Sequence, residues 1–577
     1  MNKLKFFICI FWGLTLFSCN EEKWLKEKPY DFYAPDNSFE TVAHFKQKLN
    51  YMYDMLRFWY FTYGDQDYHL HLYCGGDFAY SGWPDDLDDN YNKYTAAIHS
   101  TSAYVEKNWS YYYQVIAKAN DVLTMLETNA SEVPEANKLT FRGEALFFRA
   151  YYYRLLAHLW GDVPLVTEML TSPKLDFVRA PRNEVYAQCQ QDLEEAIGLL
   201  ADIDKVADGA INKQIAQHIL AEVYICQGNH TKAIEVANAV INHPATGLMT
   251  ERFGSYKDDP TKNVFFDLFR SGNQNRAKSP NTEGLLVLQY DYQNGSPYER
   301  NLARYIMPQL RSVTVKAKDD AKGKDDNGNV LACSTFTMED GGRGNGYYAT
   351  THYFRKTIWA SDYDNDIRNA SCNIYRDFRI DNVEAVGHGQ WIVKDGWLRT
   401  RDTFAFIFPA VTKFCGFEAI PDVAYQMKNG AKDTTSLGKH IIINNGNNAT
   451  GSFTDEYLVR LSETYLLLAE AYVRNGQLGK AAEAVNVVRS RAKASPATAA
   501  QMNIEYILDE RMRELAGEEV RNYTLFRMGI FVDRAKKYNP AGKHVGAWQN
   551  FWPIPFSEIE KNTGAVLTQN EGYGAKN

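Results

Sequence analysis

Apolar residues along most of this chain recur at spacings of three and four, the signature of amphipathic helices. Phe39 to Leu56 reads as a first helix, and Ala103 to Leu126 as another ending before Pro134. The strongest pattern runs from Phe141 to Trp160, where Phe141, Ala145, Phe148, Tyr152, Leu155 and Leu159 paint one face. Gly161 permits a left-handed cap and Pro164 cannot continue a helix, so the pattern predicts a stop there. Pro181 opens the next helix at a position where its missing N–H costs nothing. Between these, residues 57–95 carry Gly64, Gly75, Gly76, Gly82, Pro84 and many tyrosines, and they read as one long structured loop. Loops of that length are usually functional.

Two later stretches look alike. Ala216–Ala237 and Tyr465–Ala484 each run small residues and an aromatic into a glycine turn (Gly228, Gly476), then Lys-Ala and a second apolar helix. They resemble the tetratricopeptide helix–turn–helix, without a strict tandem period. Two unrelated hairpins built from common helix formers are the alternative. Residues 250–450 lose the helical period and gain Gly, Asn, Asp and Thr, with strand-like pieces at Leu285–Tyr290 and Phe404–Phe408 and an exposed charged loop at Lys316–Asn329. Helical pattern returns at Glu456. The charges from Glu510 to Arg521 read as ion pairing along a helix face, and Phe551–Pro555, with alternate prolines, reads as an extended strip lying on the body. The fold class expected is therefore mainly α: tetratricopeptide-like helical pairs forming a scaffold, with an inserted irregular subdomain poor in regular structure. The divisions read are 1–18, 19–38, 39–249, 250–450 and 451–577.

The first 19 residues add a compartment. Lys3 and Lys5, an apolar run from Phe6 to Phe17, and Ser18 before Cys19 describe a secretory signal cut just ahead of a cysteine. The run is shorter than the ~20 apolar residues that a spanning helix needs. This is the pattern of a bacterial lipoprotein signal, with Cys19 as the lipidated new N-terminus; an ordinary cleaved signal is the alternative. Each buried CH₂ of a lipid contributes ~0.8 kcal/mol, so two or more chains hold firmly where one holds marginally. Asn20–Lys23 is polar and acidic, and Lys26–Asn37, with prolines at 29 and 35 and no helical period, reads as a tether. The acidic start resembles the surface-export signal of Bacteroidetes lipoproteins, which favours the outer face of the outer membrane.

Net charge is −8 in 577 residues, which argues against nucleic acid or an anionic membrane surface as ligand. Six cysteines follow Cys19 without C-x-x-C pairs, so no disulfide framework is indicated; Cys189 and Cys226 fall in apolar helical stripes. Aromatic residues make up 14% of the chain, with 38 tyrosines and 11 tryptophans; many must be core, and several lie in loop-like segments, where packing is the favoured reading for any one ring except Trp83 and ligand contact the alternative.

Metal and catalytic readings are weak. Asp85, Asp86, Asp88 and Asp89 could bind calcium, but a solvated acidic loop is favoured. Asp362, Asp364 and Asp366 begin like a calcium loop, but Ile367 and Asn373 occupy the glycine and glutamate positions. His69 and His71 lack a third ligand by spacing. Gly341–Gly346 does not fit a dinucleotide fingerprint and reads as a flexible loop near ligand. No cofactor is expected beyond the covalent lipid, and no catalytic residue is assigned.

Four pieces together resemble the SusD/RagB family of Bacteroidetes outer-membrane lipoproteins. They are Phe141–Tyr153 with Gly161-Asp162-Val163-Pro164, Leu458–Ala471, Glu510–Glu518 with Arg521 and Phe526-Arg527, and Trp552–Pro555 with Gln569-Asn570 and Gly572-Tyr573. The resemblance implies a non-enzymatic surface lipoprotein. It would capture glycan, or peptide in some members, for a SusC-like TonB-dependent transporter. It also implies aromatic platforms drawn from the first long loop and the insertion. A ring face buries the flat side of a sugar, and ~80 Å² covered at ~25 cal/mol per Å² is about 2 kcal/mol. The candidates are Trp83, Tyr80 and Tyr73 with Asp77 and Asn90 in the loop, and Tyr292, Tyr298, Tyr347 and Trp359 with Arg343 in the insertion. A protein-binding envelope scaffold and a glycoside hydrolase are the competing classes.

Overall fold

The computed structural model describes residues 39–61, 70–82, 87–88, 92–291, 302–315, 331–397, 407–415, 420, 422–443 and 453–574. Among the described residues, the longer helices of the first part are α1 (Val42–Phe61), α2 (Ala103–Thr128), α3 (Glu135–Trp160), α4 (Arg182–Leu199), α5 (Lys213–Cys226) and α6 (His230–Ile241). Those of the last part are α7 (Leu461–Arg474), α8 (Leu478–Arg491), α9 (Ile504–Leu515), α10 (Arg521–Arg527) and α11 (Phe531–Tyr538). Their ends follow local chemistry. Asn212 and Asn229 cap α5 and α6 by accepting hydrogen bonds from Ile215 N (3.0 Å) and Lys232 N (3.3 Å). Gly228 and Gly476, both at positive φ, turn the two hairpins that the sequence marked.

Helices pack in chain order from α2 through α6, and α6 then packs directly on α7. Residues 242–460 therefore leave and rejoin the helical array at one place. A two-stranded antiparallel sheet closes that neck, pairing β2 (Gly284–Leu288) with β4 (Glu456–Arg460). Buried charge pairs tie the array crosswise. Arg149 of α3 donates to Asp192 of α4 at 2.8 and 2.7 Å, and Arg527 of α10 donates to Glu470 of α7 at 3.0 and 2.6 Å.

The looped-out region carries its own core of Met307, Leu310, Val313, Cys333, Phe378, Ile380, Ile392 and neighbours, separate from the main helical core. It joins the scaffold through buried charge. Arg368 donates to Asp366 (2.9 and 2.6 Å), Glu510 (2.8 Å) and Glu514 (3.1 Å); Arg460 reaches Glu514 at 3.0 Å, and Arg489 reaches Glu510 at 2.8 Å. Burial opposes ionisation of Glu510 and Glu514, but the surrounding guanidiniums outweigh it and hold both carboxyls far below the usual range. The sequence reading of this cluster as pairing along one helix face is corrected here. Arg513–Glu510 lies within α9, and Glu519 just beyond it pairs with Arg511 and Arg521, but the remaining partners come from the insertion, β4, α7, α8 and Asp77.

Other expectations need adjustment. Residues 57–95 are not one loop: α1 runs to Phe61, one-turn helices occupy Leu70–Tyr73 and Tyr94–Ala97, and strand β1 spans Ala79–Ser81. Near the strand expected at 404–408, the strand seen is Ala410–Val411, paired with Ile374–Tyr375. Residues 316–329 and 404–406 lie outside the described residues. Phe551–Pro555 is the extended strip expected, held where Trp552 N donates to Leu159 O at 2.6 Å and Trp160 Nε1 to Pro553 O at 2.8 Å. Cys189 is buried and Cys226 half-buried, both as free thiols.

Candidate functional site

The two regions singled out for ligand contact are brought together by one small sheet. β1 (Ala79–Ser81) pairs antiparallel with β3 (Tyr348–Thr350), matching Ala79 with Thr350 and Ser81 with Tyr348. Gly82 N extends the ladder, donating to Tyr347 O at 3.2 Å. Asn92 clamps the far end of the loop to the same strand, accepting from Ser81 N at 2.9 Å and donating to Ser81 O at 2.8 Å. Gly82 and Asn92 are thus both fixed on the strand that pairs with the insertion. Asp88 of this loop is held by Lys543 and His544, each at 2.7 Å.

Several candidate residues build this junction rather than offer open faces to a ligand. Tyr73 is buried and stacks on Tyr348, with ring centroids 5.1 Å apart at 18°. Tyr80 is 6% exposed and sits in the core of the insertion, a peg that docks the first loop there. Asp77 is fully buried, bonded to Arg521 Nε (2.9 Å) and Nη2 (2.8 Å) and to Arg534 Nε (2.8 Å). Burial works against its charge, but Arg521 and then Arg534 hold its carboxyl below the usual carboxylate range. Trp359 is buried with its indole N–H on Phe354 O at 2.7 Å. For these four, the physical reason is shared: a ring or carboxylate already covered on all sides has no surface to lay against a sugar.

Tyr347 and Arg343 are half-buried and remain at the junction's edge. Tyr347 packs against Tyr305 at 5.6 Å. The glycine run beside Arg343 is not the flexible loop expected. A Cβ on Gly344 would stand 2.2 Å from Pro308 O, and Gly341 and Gly342 take φ of +82° and +76°. Backbone packs on backbone here, which only glycine allows. Trp83, Asn90, Tyr292 and Tyr298 lie outside the described residues, as does Cys19.

Arg355, which the sequence did not flag, lies at the same junction. Its guanidinium donates to Thr350 Oγ1 (3.3 Å) and Tyr80 Oη (3.5 Å) and sits 5.6 Å from the Phe408 ring centroid. No carboxylate pairs with it among the described residues, and burial pulls its pKa down despite Tyr80. Nothing local distinguishes this arginine from its neighbours; its position relative to Tyr80, 275 residues away, is what makes it notable. A second polar surface lies on the insertion, a cleft of about 550 Å³ whose lining includes Arg311, Ser334, Phe336, Asn382, Thr435 and Ser436. Arg311 lies 5.2 Å from the Phe336 ring centroid.

The acidic motifs are occupied by protein. Asp362 accepts from Arg489 (2.6 Å) and Ser495 Oγ (2.6 Å), and Asp366 from Arg368. Burial pushes the His71 imidazole down to about 3. Among the described residues no group of His, Cys, Asp and Glu is arranged to hold a metal ion, and no helix is long and apolar enough to cross a membrane.

Comparison with known proteins fits this architecture. Residues 23–225 match a family described as "Starch-binding associating with outer membrane", and residues 282–573 match the SusD family. SusD-like protein P25 of Formosa agariphila is 22% identical, with 98% of each chain covered. Starch-binding protein SusD of Bacteroides thetaiotaomicron is 35% identical over 130 residues, 22% of this chain and 23% of that one. Among solved structures, a laminarin-binding SusD-like protein superposes with a TM-score of 0.62 at 21% identity, covering 93% of this chain and all of its own. Surface glycan-binding protein A from Bacteroides thetaiotaomicron, solved with laminarihexaose, gives 0.62 at 18%, covering 92% and 99%. The second family match alone spans more than half of the sequence, and on that ground the chain belongs to the SusD family.

Proposed function

We propose that this protein is a non-catalytic cell-surface lipoprotein that captures an oligo- or polysaccharide and delivers it to a SusC-like TonB-dependent outer-membrane transporter. Lipid on Cys19 would hold it to the outer membrane, facing outward. The observation behind the reading is the junction: β1–β3 pairing, Gly82 N on Tyr347 O and the Asn92 clamp fix the two residues that bracket Trp83 in the sequence, with Arg355 on the same pair of strands. Arg355 offers planar donors with no carboxylate partner among the described residues, suited to the hydroxyl edge of a sugar ring. Trp83 would supply the flat face, and Asn90, Tyr292 and Tyr298 further contacts. Two solved proteins of the same fold, the laminarin-binding SusD-like protein and surface glycan-binding protein A in complex with laminarihexaose, support glycan as the ligand class.

Affinity electrophoresis and calorimetry of purified protein over a panel of glycans and peptides test it. Retarded migration with intact glycan is expected. Released reducing ends would overturn the non-catalytic reading. Binding to peptide alone would replace glycan with peptide as cargo. Failure to bind either, with a protein partner still co-purifying, would make the chain an envelope scaffold.

A further inference from the structure

We propose that residues 539–549 form a third wall of the ligand junction and that Trp548 is its sugar platform. The inference rests on the glycan reading and adds to it a contact residue from the C-terminal part of the chain. The segment is fastened to the junction strand. Asn539 Nδ2 donates to Gly76 O (2.6 Å) and to Ala79 O (2.9 Å), and Ala541 is buried in the core of the insertion. Farther along, Lys543 Nζ and His544 Nε2 each lie 2.7 Å from Asp88 Oδ1. Thr95 Oγ1 donates to His544 O at 2.7 Å and lies 3.1 Å from Gln549 Oε1. Strand β1, Asp88, Thr95 and the C-terminal segment are therefore tied together.

Trp548 differs from the tryptophans of the core. Trp160, Trp359 and Trp552 are fully buried, and their indole N–H groups donate to Pro553 O, Phe354 O and Tyr94 Oη. Trp548 is 42% exposed, and its indole N–H donates to no group among the described residues. A tryptophan buries up to ~250 Å², so about 100 Å² of this one lies open, more than the ~80 Å² that one face of a sugar ring covers. A single exposed ring is ordinary on a protein surface, but the seat of this one is specific. A Cβ on Gly546 would stand 2.8 Å from Trp548 Cζ2, and one on Gly572, at φ +83°, would stand 2.3 Å from its Cγ. Backbone without side chains thus lies against both the six-membered ring and the stem of the indole. Tyr573 meets the ring edge-on, with centroids 6.5 Å apart at 89°. The tail that carries Gly572 is itself fixed, since Asn570 Nδ2 donates to Trp552 O at 2.7 Å and Tyr573 Oη to Phe551 O at 2.8 Å. A ring held in one pose while open to solvent is preorganised for contact, because covering it orders no further side chain.

The groups around the ring match a sugar. Four residues separate Trp548 from His544, so their Cα atoms lie within ~14 Å at ~3.6 Å per residue. Gln549 N, donating to Gly546 O at 3.1 Å, folds that stretch shorter. An oligosaccharide with the C–H face of one unit on the indole would reach Asp88, Lys543 and His544 with the hydroxyls of its neighbours. Lys543 is balanced by Asp88, so the patch favours an uncharged sugar over an acidic one.

The test uses the full chain labelled with 5-fluorotryptophan and titrated with laminarihexaose and with maltohexaose. The fluorine line missing from Trp548→Phe assigns that residue. The line should shift as the bound oligosaccharide saturates, and calorimetry should show Trp548→Ala binding roughly tenfold to 30-fold more weakly with an unchanged melt. Gly572→Ala keeps the indole but displaces it, and should weaken binding as well. An unmoved line together with full affinity in Trp548→Ala, while the parent protein binds, would overturn the inference and leave the glycan reading standing. A line that shifts with protein concentration in the absence of sugar would also overturn it, because a second copy would then cover the ring. Binding of neither oligosaccharide, nor of any other glycan in the panel, removes the glycan reading and this inference with it.

Discussion

Replacing Asp77 by Asn separates a structural anchor from a ligand contact. Asp77 is buried and takes three charge-assisted hydrogen bonds between 2.8 and 2.9 Å, from Arg521 and Arg534. Asparagine keeps the shape but removes the charge and turns an amide N–H₂ toward guanidinium donors. Breaking one side of a buried pair costs about 3–5 kcal/mol. Arg521 retains Glu519, and Arg534 retains Asp509 and Glu505, so the lower end applies, about 3 kcal/mol. With an unfolding entropy of ~2.1 cal/mol/K per residue over a body of this size, that is a fall in Tm of roughly 3 °C. The folded pKa of Asp77 is depressed, so its contribution is present above the unfolded carboxylate value and is lost as pH falls through the folded one. Calorimetric melts of parent and variant should therefore differ at pH 7 and converge in acid. Glycan affinity measured well below Tm should be unchanged. An unchanged Tm together with abolished glycan binding would refute this reasoning and return Asp77 to the ligand site.

Four further outcomes are expected. Trp83→Ala should weaken glycan binding by about 2 kcal/mol, roughly 30-fold, with an unchanged melt; unchanged affinity in affinity gels rejects Trp83 as a platform. Arg355→Met should lower glycan affinity about fivefold to tenfold by calorimetry while leaving stability within ~1 kcal/mol, since the arginine has no carboxylate to strand; full affinity excludes it from the site. Glu144 on α3 has its pKa raised by burial to about 7 from 4.5. Stability should therefore fall by about 3 kcal/mol as pH rises between those values, and Glu144→Gln should flatten that slope in urea titrations. Equal slopes in both proteins would rule it out. Cys19→Ser should abolish incorporation of labelled fatty acid; persistent labelling would place the lipid elsewhere.

The helical frame was legible because its causes are local. Spacings of three and four, Asn212 and Asn229 as caps, Gly228 and Gly476 as turns, and Gly161 after Trp160 all act within a few residues. The insertion was legible as a loss of that period. The roles of individual rings were not. Tyr73, Tyr80 and Trp359 stand among glycines and polar residues in sequence, as exposed platforms would, but each is covered by partners that the local sequence does not reveal. Arg355 shows the reverse, an ordinary-looking arginine made distinctive by Tyr80.

From sequence alone came the mainly helical scaffold and the family likeness, together with the expectations of an insertion and of a lipoprotein signal at Cys19. These rest on short-range periodicity, capping and ordered motifs, which a linear chain displays directly. Tertiary structure decided that α6 closes onto α7 around the insertion, that the Glu510–Arg521 cluster is a buried network, and that Asp77 anchors instead of binds. Those outcomes depend on pairs such as Asp77 and Arg521, 444 positions apart, whose meeting follows from packing and desolvation rather than from any local pattern.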